Sequence, residues 1–136
     1  MTQTINPADV VTQFAVTVGE VARHFECLLS FETDCWDVHE ALKQGRPEFV
    51  LVDVRDSQSY GVAHLPGAVS LPVGKITEKN ITQFSSDTLF VVYCTGPHCN
   101  GADKAALRLA RLGKRVKKMI GGMWGWKDYY GWPVET

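Results

Sequence analysis

The sequence predicts an α/β domain: an open sheet of parallel strands flanked by helices, with an added N-terminal helix. Two runs carry the prediction. FVLVDV at 49–54 and LFVVY at 89–93 are almost wholly apolar, the pattern of strands covered on both faces. The second leads through a tight loop into the strongly helical ADKAALRLARL at 102–112. Strands that alternate with helices wind into a parallel sheet. The chain's 136 residues, 45% hydrophobic and 21% charged, suffice for one core and not for two joined by a linker.

In chain order, residues 6–24 (NPADVVTQFAVTVGEVARH) are expected to form a helix. Asn6 and Pro7 suit its N-cap and first position, and Val10, Val11, Phe14, Val18, Val21 and Phe25 keep near-helical spacing. Its Thr and Val content and Gly19 lower intrinsic propensity, so packing on the domain or against a second copy of the chain must hold it. Residues 1–30 are assigned to this helical extension packed on the domain, and 31–136 to the domain itself. Residues 27–31, short and apolar, are expected as an edge strand. Thr33 or Asp34 then caps a helix over 35–43, stopped by Gly45 and Pro47. A strand at 49–54, a short one at 68–71 and another at 89–93 follow. The next helix runs from Gly101 or Ala102 to Leu112 and ends at Gly113. A strand over 116–120 leads through Gly121 and Gly122 into a short aromatic helix in MWGWKDYYG.

Composition excludes several functions. Lys plus Arg number 14 against 15 Asp plus Glu, so no surplus of cations exists to displace counterions from nucleic acid. The basic run KRVKK at 114–118 reads as a solvated helix end entering a strand. No apolar stretch is long enough to span a membrane, and no basic region precedes an apolar run at the N-terminus, so no membrane partner and a cytoplasmic location are expected. Four cysteines, Cys27, Cys35, Cys94 and Cys99, are too few for a disulfide scaffold, and their spacings lack the short pairs of zinc sites. No metal and no cofactor are expected. Thiol chemistry remains.

YCTGPHCNG at 93–101 places Cys94 at the carboxyl end of a buried strand, just before a helix. Ligand sites of open α/β sheets sit there. Backbone N–H groups in such a loop and the helix N-terminus favour an anion at one point, so the Cys94 thiol is expected to fall below its free value of about 8.5 and act as a nucleophile. The bland alternative is a small buried residue ending a strand. A packing cysteine, however, has no need of a glycine-rich turn. Thr95, Gly96, Pro97, His98, Cys99, Asn100 and Gly101 are the candidate substrate-binding residues.

Five motifs in order, LVDVRD at 51–56, YGVAHLPGAVSLP at 60–72, VVYC ending at Cys94, AALRLARLG at 105–113 and GGMWGWKDYYGWPVE at 121–135, resemble the single-domain rhodanese-like sulfurtransferases. The resemblance spans 33–135 and implies a rhodanese or flavodoxin-like sheet. It also implies that Cys94 accepts a sulfane sulfur from a small sulfur-containing donor, becomes a persulfide, and yields the sulfur to a thiol or to cyanide. On the same resemblance Asp53 and Arg55 are scaffold, and His64 orders the loop between two strands. Trp124, Trp126 and Trp132 form a core wall, with Met123 or Trp124 at the site entrance.

The loop departs from the family pattern. Pro97, Cys99 and Asn100 stand where a small residue and an Arg, Ser or Thr are common, and the stretch before the helix is longer. Without a guanidinium, thiosulfate's dianion is expected to be held weakly. Asn100, six after Cys94, also removes the arginine that C-x5-R phosphatases use. Cys99 can attack a persulfide or sulfenic acid at Cys94, or simply point into the helix start. His98 can supply charge or a proton, or face solvent. The alternative function is a non-catalytic or thiol-redox sensing module using Cys94 and Cys99. In it, the apolar face of residues 1–30 docks a partner or a second protomer as a homodimer.

Overall fold

In the computed structural model, which describes residues 6–45 and 48–136, the chain runs α1 (Pro7–Thr12), α2 (Val18–Phe31), β1 (Glu32–Asp34), α3 (Cys35–Lys43), β2 (Val50–Asp53), α4 (Ser57–Val62) and β3 (Val69–Ser70). A 3-10 turn (Val73–Lys75), α5 (Glu78–Ile81), β4 (Leu89–Tyr93), α6 (Gly101–Arg111), β5 (Arg115–Ile120) and a π-helical turn (Trp124–Tyr129) complete it. All five strands pair in parallel in the order β1-β5-β4-β2-β3. The open parallel sheet expected from the two apolar runs is what forms.

The central strands β2 and β4 are covered on both sides because neighbouring residues point to opposite faces. Val52, Phe90 and Val92 pack with Ile76, Ile81 and the α6 residues Ala105 and Leu109. Leu51, Val91 and Tyr93 pack on the other face with Cys35 and Val38 of α3, Leu65, Met119 and Trp126. After β2 the chain turns to β3 on one side, and after β4 it turns to β5 on the other. A crevice opens beyond the carboxyl ends of such a pair, and Cys94 follows β4 directly.

Several boundaries differ from the sequence expectation. The single N-terminal helix is two: α1 starts as expected with Asn6 Oδ1 accepting from Ala8 N, but the chain is extended at Gln13 and restarts at Thr17. There, Thr17 Oγ1 accepts from Glu20 N at 3.1 Å, and Thr17 N donates to Glu20 Oε2 at 3.3 Å, a reciprocal capping box. Residues 27–31 are not an edge strand. Once nucleated, α2 continues through Phe31, and the edge strand is displaced to Glu32–Asp34. The extension lies only lightly on the domain: α2 contacts β1 and β5, Val21 and Leu28 are half-buried, and no residue of α1 or α2 is fully buried.

Asp34 caps α3 by accepting from Asp37 N at 2.8 Å, and Gly45 ends the helix region with φ +68°. Pro47 lies outside the described residues. The short helices α4 and α5, not anticipated, begin where Asp56 accepts from Ser59 N and Thr77 accepts from Asn80 N. The C-terminal aromatic helix is π-wound, with Tyr130 N donating to Gly125 O at 3.1 Å. No helix among the described residues is long and apolar enough to cross a membrane.

Candidate active site at Cys94

β4 ends at Tyr93, and two hydrogen bonds fix the chain immediately afterwards. Cys94 O accepts from Met123 N at 3.0 Å and Thr95 O from Trp124 N at 2.8 Å. The backbone can come this close only because Gly122 has no side chain. Its φ is +60°, and a Cβ there would collide with Cys94 O and stand 2.9 Å from Gly96 N. A turn closed by Cys99 N donating to Gly96 O at 3.0 Å folds the loop back. Both sulfurs then converge on the first residue of α6: a methyl on Gly101 would lie 2.8 Å from Cys94 Sγ and 3.4 Å from Cys99 Sγ. Gly101 N also donates to Cys99 Sγ at 3.4 Å.

This geometry reverses the expectation for the Cys94 thiol. Cys94 is only 7% exposed, and burial pushes its thiol above the ordinary value. Donation to Cys99 adds to the rise, and the Thr95 backbone offsets it only in part. Cys99 is the thiol that falls, because Cys94 donates to it, with help from the Gly101 N–H and the Lys104 charge. The lowering expected at Cys94 falls instead on the better-solvated Cys99.

Cys94 opens on a cavity of about 580 Å³, lined from the loop by Gly96, Pro97, His98, Cys99 and Asn100. Thr95 and Gly101 do not line it. The Thr95 hydroxyl sits 4.0 Å from Cys94 Sγ, and Gly101 lies under the two sulfurs. The loop N–H groups of Gly96, His98 and Asn100 have no acceptor among the described residues. His98 is exposed. Across from the loop stand Asp34 and Cys35 at the start of α3, Lys118 and Met119 of β5, and Trp124, Tyr129 and Tyr130. Apart from Trp124, their place at the site has no local sequence signal, because they reach it through the pairing of β1 with β5 and β5 with β4.

Among the residues lining the cavity, Lys118 stands with the carboxylates of Asp34 and Asp103. Lys118 Nζ lies 2.9 Å from Asp103 Oδ1 and 3.9 Å from Glu32 Oε1, so its charge is already answered by two carboxylates. Cys35 is 2% exposed, directs Sγ at Ile120 O and Gly122 O at 3.5 and 3.6 Å, and is pushed up to about 11, chiefly by burial. It is a neutral S–H that braces the Gly121 turn. No group of three or more His, Cys, Asp and Glu placed to hold a metal occurs among the described residues.

The scaffold residues sit behind the site. Arg55 grips Asp53 through Nε at 3.0 Å and a terminal nitrogen at 2.7 Å, and also donates to Ala63 O at 2.6 Å. His64 stacks on Tyr60 with ring centroids 3.8 Å apart and exchanges backbone bonds with Glu135, each 2.8 Å. Trp126 is buried, and its Nε1 donates to Pro133 O. Trp132 stacks on His39 and Tyr130, whereas Trp124 is half-exposed at the cavity. Met123 is buried and does not line the entrance.

Residues 37–129 match the family model of the rhodanese-like domain. Among solved structures, the BH2092 protein from Bacillus halodurans is 42% identical with a TM-score of 0.84, over 88% of this chain and 86% of that one. The thiosulfate sulfurtransferase GlpE of Tolumonas auensis is 31% identical over 85 residues, 62% of this chain and 77% of that protein. The HTH-type transcriptional regulator Rv0324 of Mycobacterium tuberculosis is 36% identical over 89 residues, 65% of this chain. The chain spans only 38% of that regulator's length.

Proposed function

Because this chain belongs to the rhodanese-like domain family, we propose that it is a sulfurtransferase or persulfide carrier, in which Cys94 takes up a sulfane sulfur and passes it to a thiophilic acceptor. The observation that carries the reading is the position of Cys94: at the carboxyl end of β4, beside the start of α6, in the lining of the cavity.

In molecules whose Cys99 is ionised, that thiolate takes the Cys94 proton as the donor enters. The Cys94 thiolate then attacks the donor's outer sulfur, the donor's S–S bond breaks, and the leaving group departs with the electron pair. The N–H groups of Gly96, His98 and Asn100, which have no acceptor among the described residues, and the α6 N-terminus offer the persulfide anion its hydrogen bonds. A thiol or cyanide attacks the outer sulfur and returns Cys94 to its starting state. Lys118 is already neutralised and the loop carries no arginine, so the thiosulfate dianion is expected to be a poor donor.

The test is thiocyanate formation from cyanide with polysulfide or thiosulfate as donor. Wild type turns over and Cys94→Ser does not; equal rates would refute the role of Cys94. A second reading, a sulfur- or redox-sensing module, draws on the paired thiols and on the likeness to a transcriptional regulator. Thiol modification without thiocyanate turnover would favour it.

A further inference from the structure

Resting on the reading of Cys94 as the sulfur acceptor, we infer that Cys99 is a second reacting thiol: it discharges the Cys94 persulfide, forming a Cys94–Cys99 disulfide and releasing hydrosulfide. The chain would thus reduce sulfane sulfur as well as carry it.

The placement is specific. The two sulfurs touch one point above Gly101, the Gly96–Cys99 turn closes the loop between them, and both line the same cavity. Cys99 receives the Gly101 N–H, which favours its thiolate, the attacking form. The remaining thiols are otherwise placed. Cys35 directs Sγ at two carbonyl oxygens, and Cys27 is exposed on α2.

The step balances as Cys94–S–S⁻ plus Cys99–SH giving Cys94–S–S–Cys99 plus HS⁻. Cys99 gives its proton to the departing sulfur and attacks Cys94 Sγ. The bond from Sγ to the outer sulfur breaks, and its electron pair leaves with hydrosulfide. The two cysteines are oxidised by two electrons, and the sulfane sulfur is reduced by two. A dithiol reductant must then reopen the disulfide, so a thiol-disulfide exchange reaction follows each such cycle.

The test uses the full chain, pulsed with inorganic polysulfide, quenched over time and digested with trypsin. Residues 80–104 form one tryptic peptide holding Cys94 and Cys99 and no other cysteine. In wild type that peptide ends lighter by about 2 Da, with one equivalent of sulfide released above a Cys94→Ser blank. In Cys99→Ser and Cys99→Ala it stays heavier by about 32 Da, and that sulfide is missing. A wild-type adduct as long-lived as that of the variants would overturn the inference while leaving the persulfide reading intact. A disulfide formed without matching sulfide would also overturn it. No adduct in the variants, together with no thiocyanate from wild type on adding cyanide, would sink the underlying reading and this inference with it.

Discussion

Tyr93 Oη donates to the Asp53 carboxylate at 2.8 Å while accepting from Leu65 N at 3.1 Å, so the residue just before Cys94 is locked to β2. Asp53 is wholly buried, and Arg55 supplies its other donors. Burial beside that carboxylate pushes the Tyr93 hydroxyl up and keeps it a neutral donor. A buried charge is tolerated only with this degree of pairing.

Removing the hydroxyl tests the lock. Tyr93→Phe leaves the Leu65 N–H unpaired and Asp53 short of a donor, and should cost about 1–3 kcal/mol for the unsatisfied groups. Urea unfolding is the measurement. A stability within error of wild type would mean that Arg55 alone holds Asp53.

The two glycines at the site should fail differently. Gly101→Ala drives a methyl against Cys94 Sγ in a helix that otherwise favours alanine, so the fold should persist while sulfur loading slows on the order of tenfold to a hundredfold. Gly122→Ala places a side chain at φ +60° against the Cys94 carbonyl, and should destabilise by about 2–4 kcal/mol. Thermal melts and single-turnover loading separate the two. Normal loading by Gly101→Ala would contradict the sulfur geometry.

Alkylation against pH reads the shared proton. The Cys99 thiol lies below its ordinary 9.0 chiefly because Cys94 donates to it, so its thiolate persists, and reacts with iodoacetamide, at lower pH than a free thiol's. In Cys94→Ala the donor is gone, and the Cys99 profile should move up in pH. An unmoved profile would show that the two thiols do not share a proton.

Cys35 gives stability a pH dependence of known sign. Its pKa rises from 9.0 to about 11 on folding, so between those values the folded chain holds a proton that the unfolded chain has lost. Stability from this group is full below 9.0 and is lost as pH rises through about 11. The stability gap between wild type and Cys35→Ala should narrow over that range by about 2 kcal/mol. A constant gap would contradict the burial of this thiol.

The parts of the fold legible in the sequence are those whose pattern is local. β4 was readable to the residue because LFVVY is apolar throughout, and α6 because its formers end at Gly113, where φ is +77°. Residues 27–31 misled because a short apolar run fits a strand or a helix equally, and the decision lay upstream in the Thr17–Glu20 capping box. Thr-x-x-Glu is a sequence signal that marks the break. The loop around Cys94 is legible in its own residues. Cys35, Lys118, Tyr129 and Tyr130 reach it only through strand order, and the reversal between Cys94 and Cys99 arises from the burial of Cys94 and its donation to Cys99, both properties of the assembled sheet.

The central claim is that Cys94 carries a transferable sulfur, and the most direct measurement locates it. Cys99→Ser, loaded with polysulfide and digested, should show the 80–104 peptide heavier by about 32 Da, with fragmentation placing the added sulfur on Cys94 and cyanide removing it as thiocyanate. An adduct confined to Cys27, or one at Cys94 that cyanide and thiols cannot remove, would contradict the account.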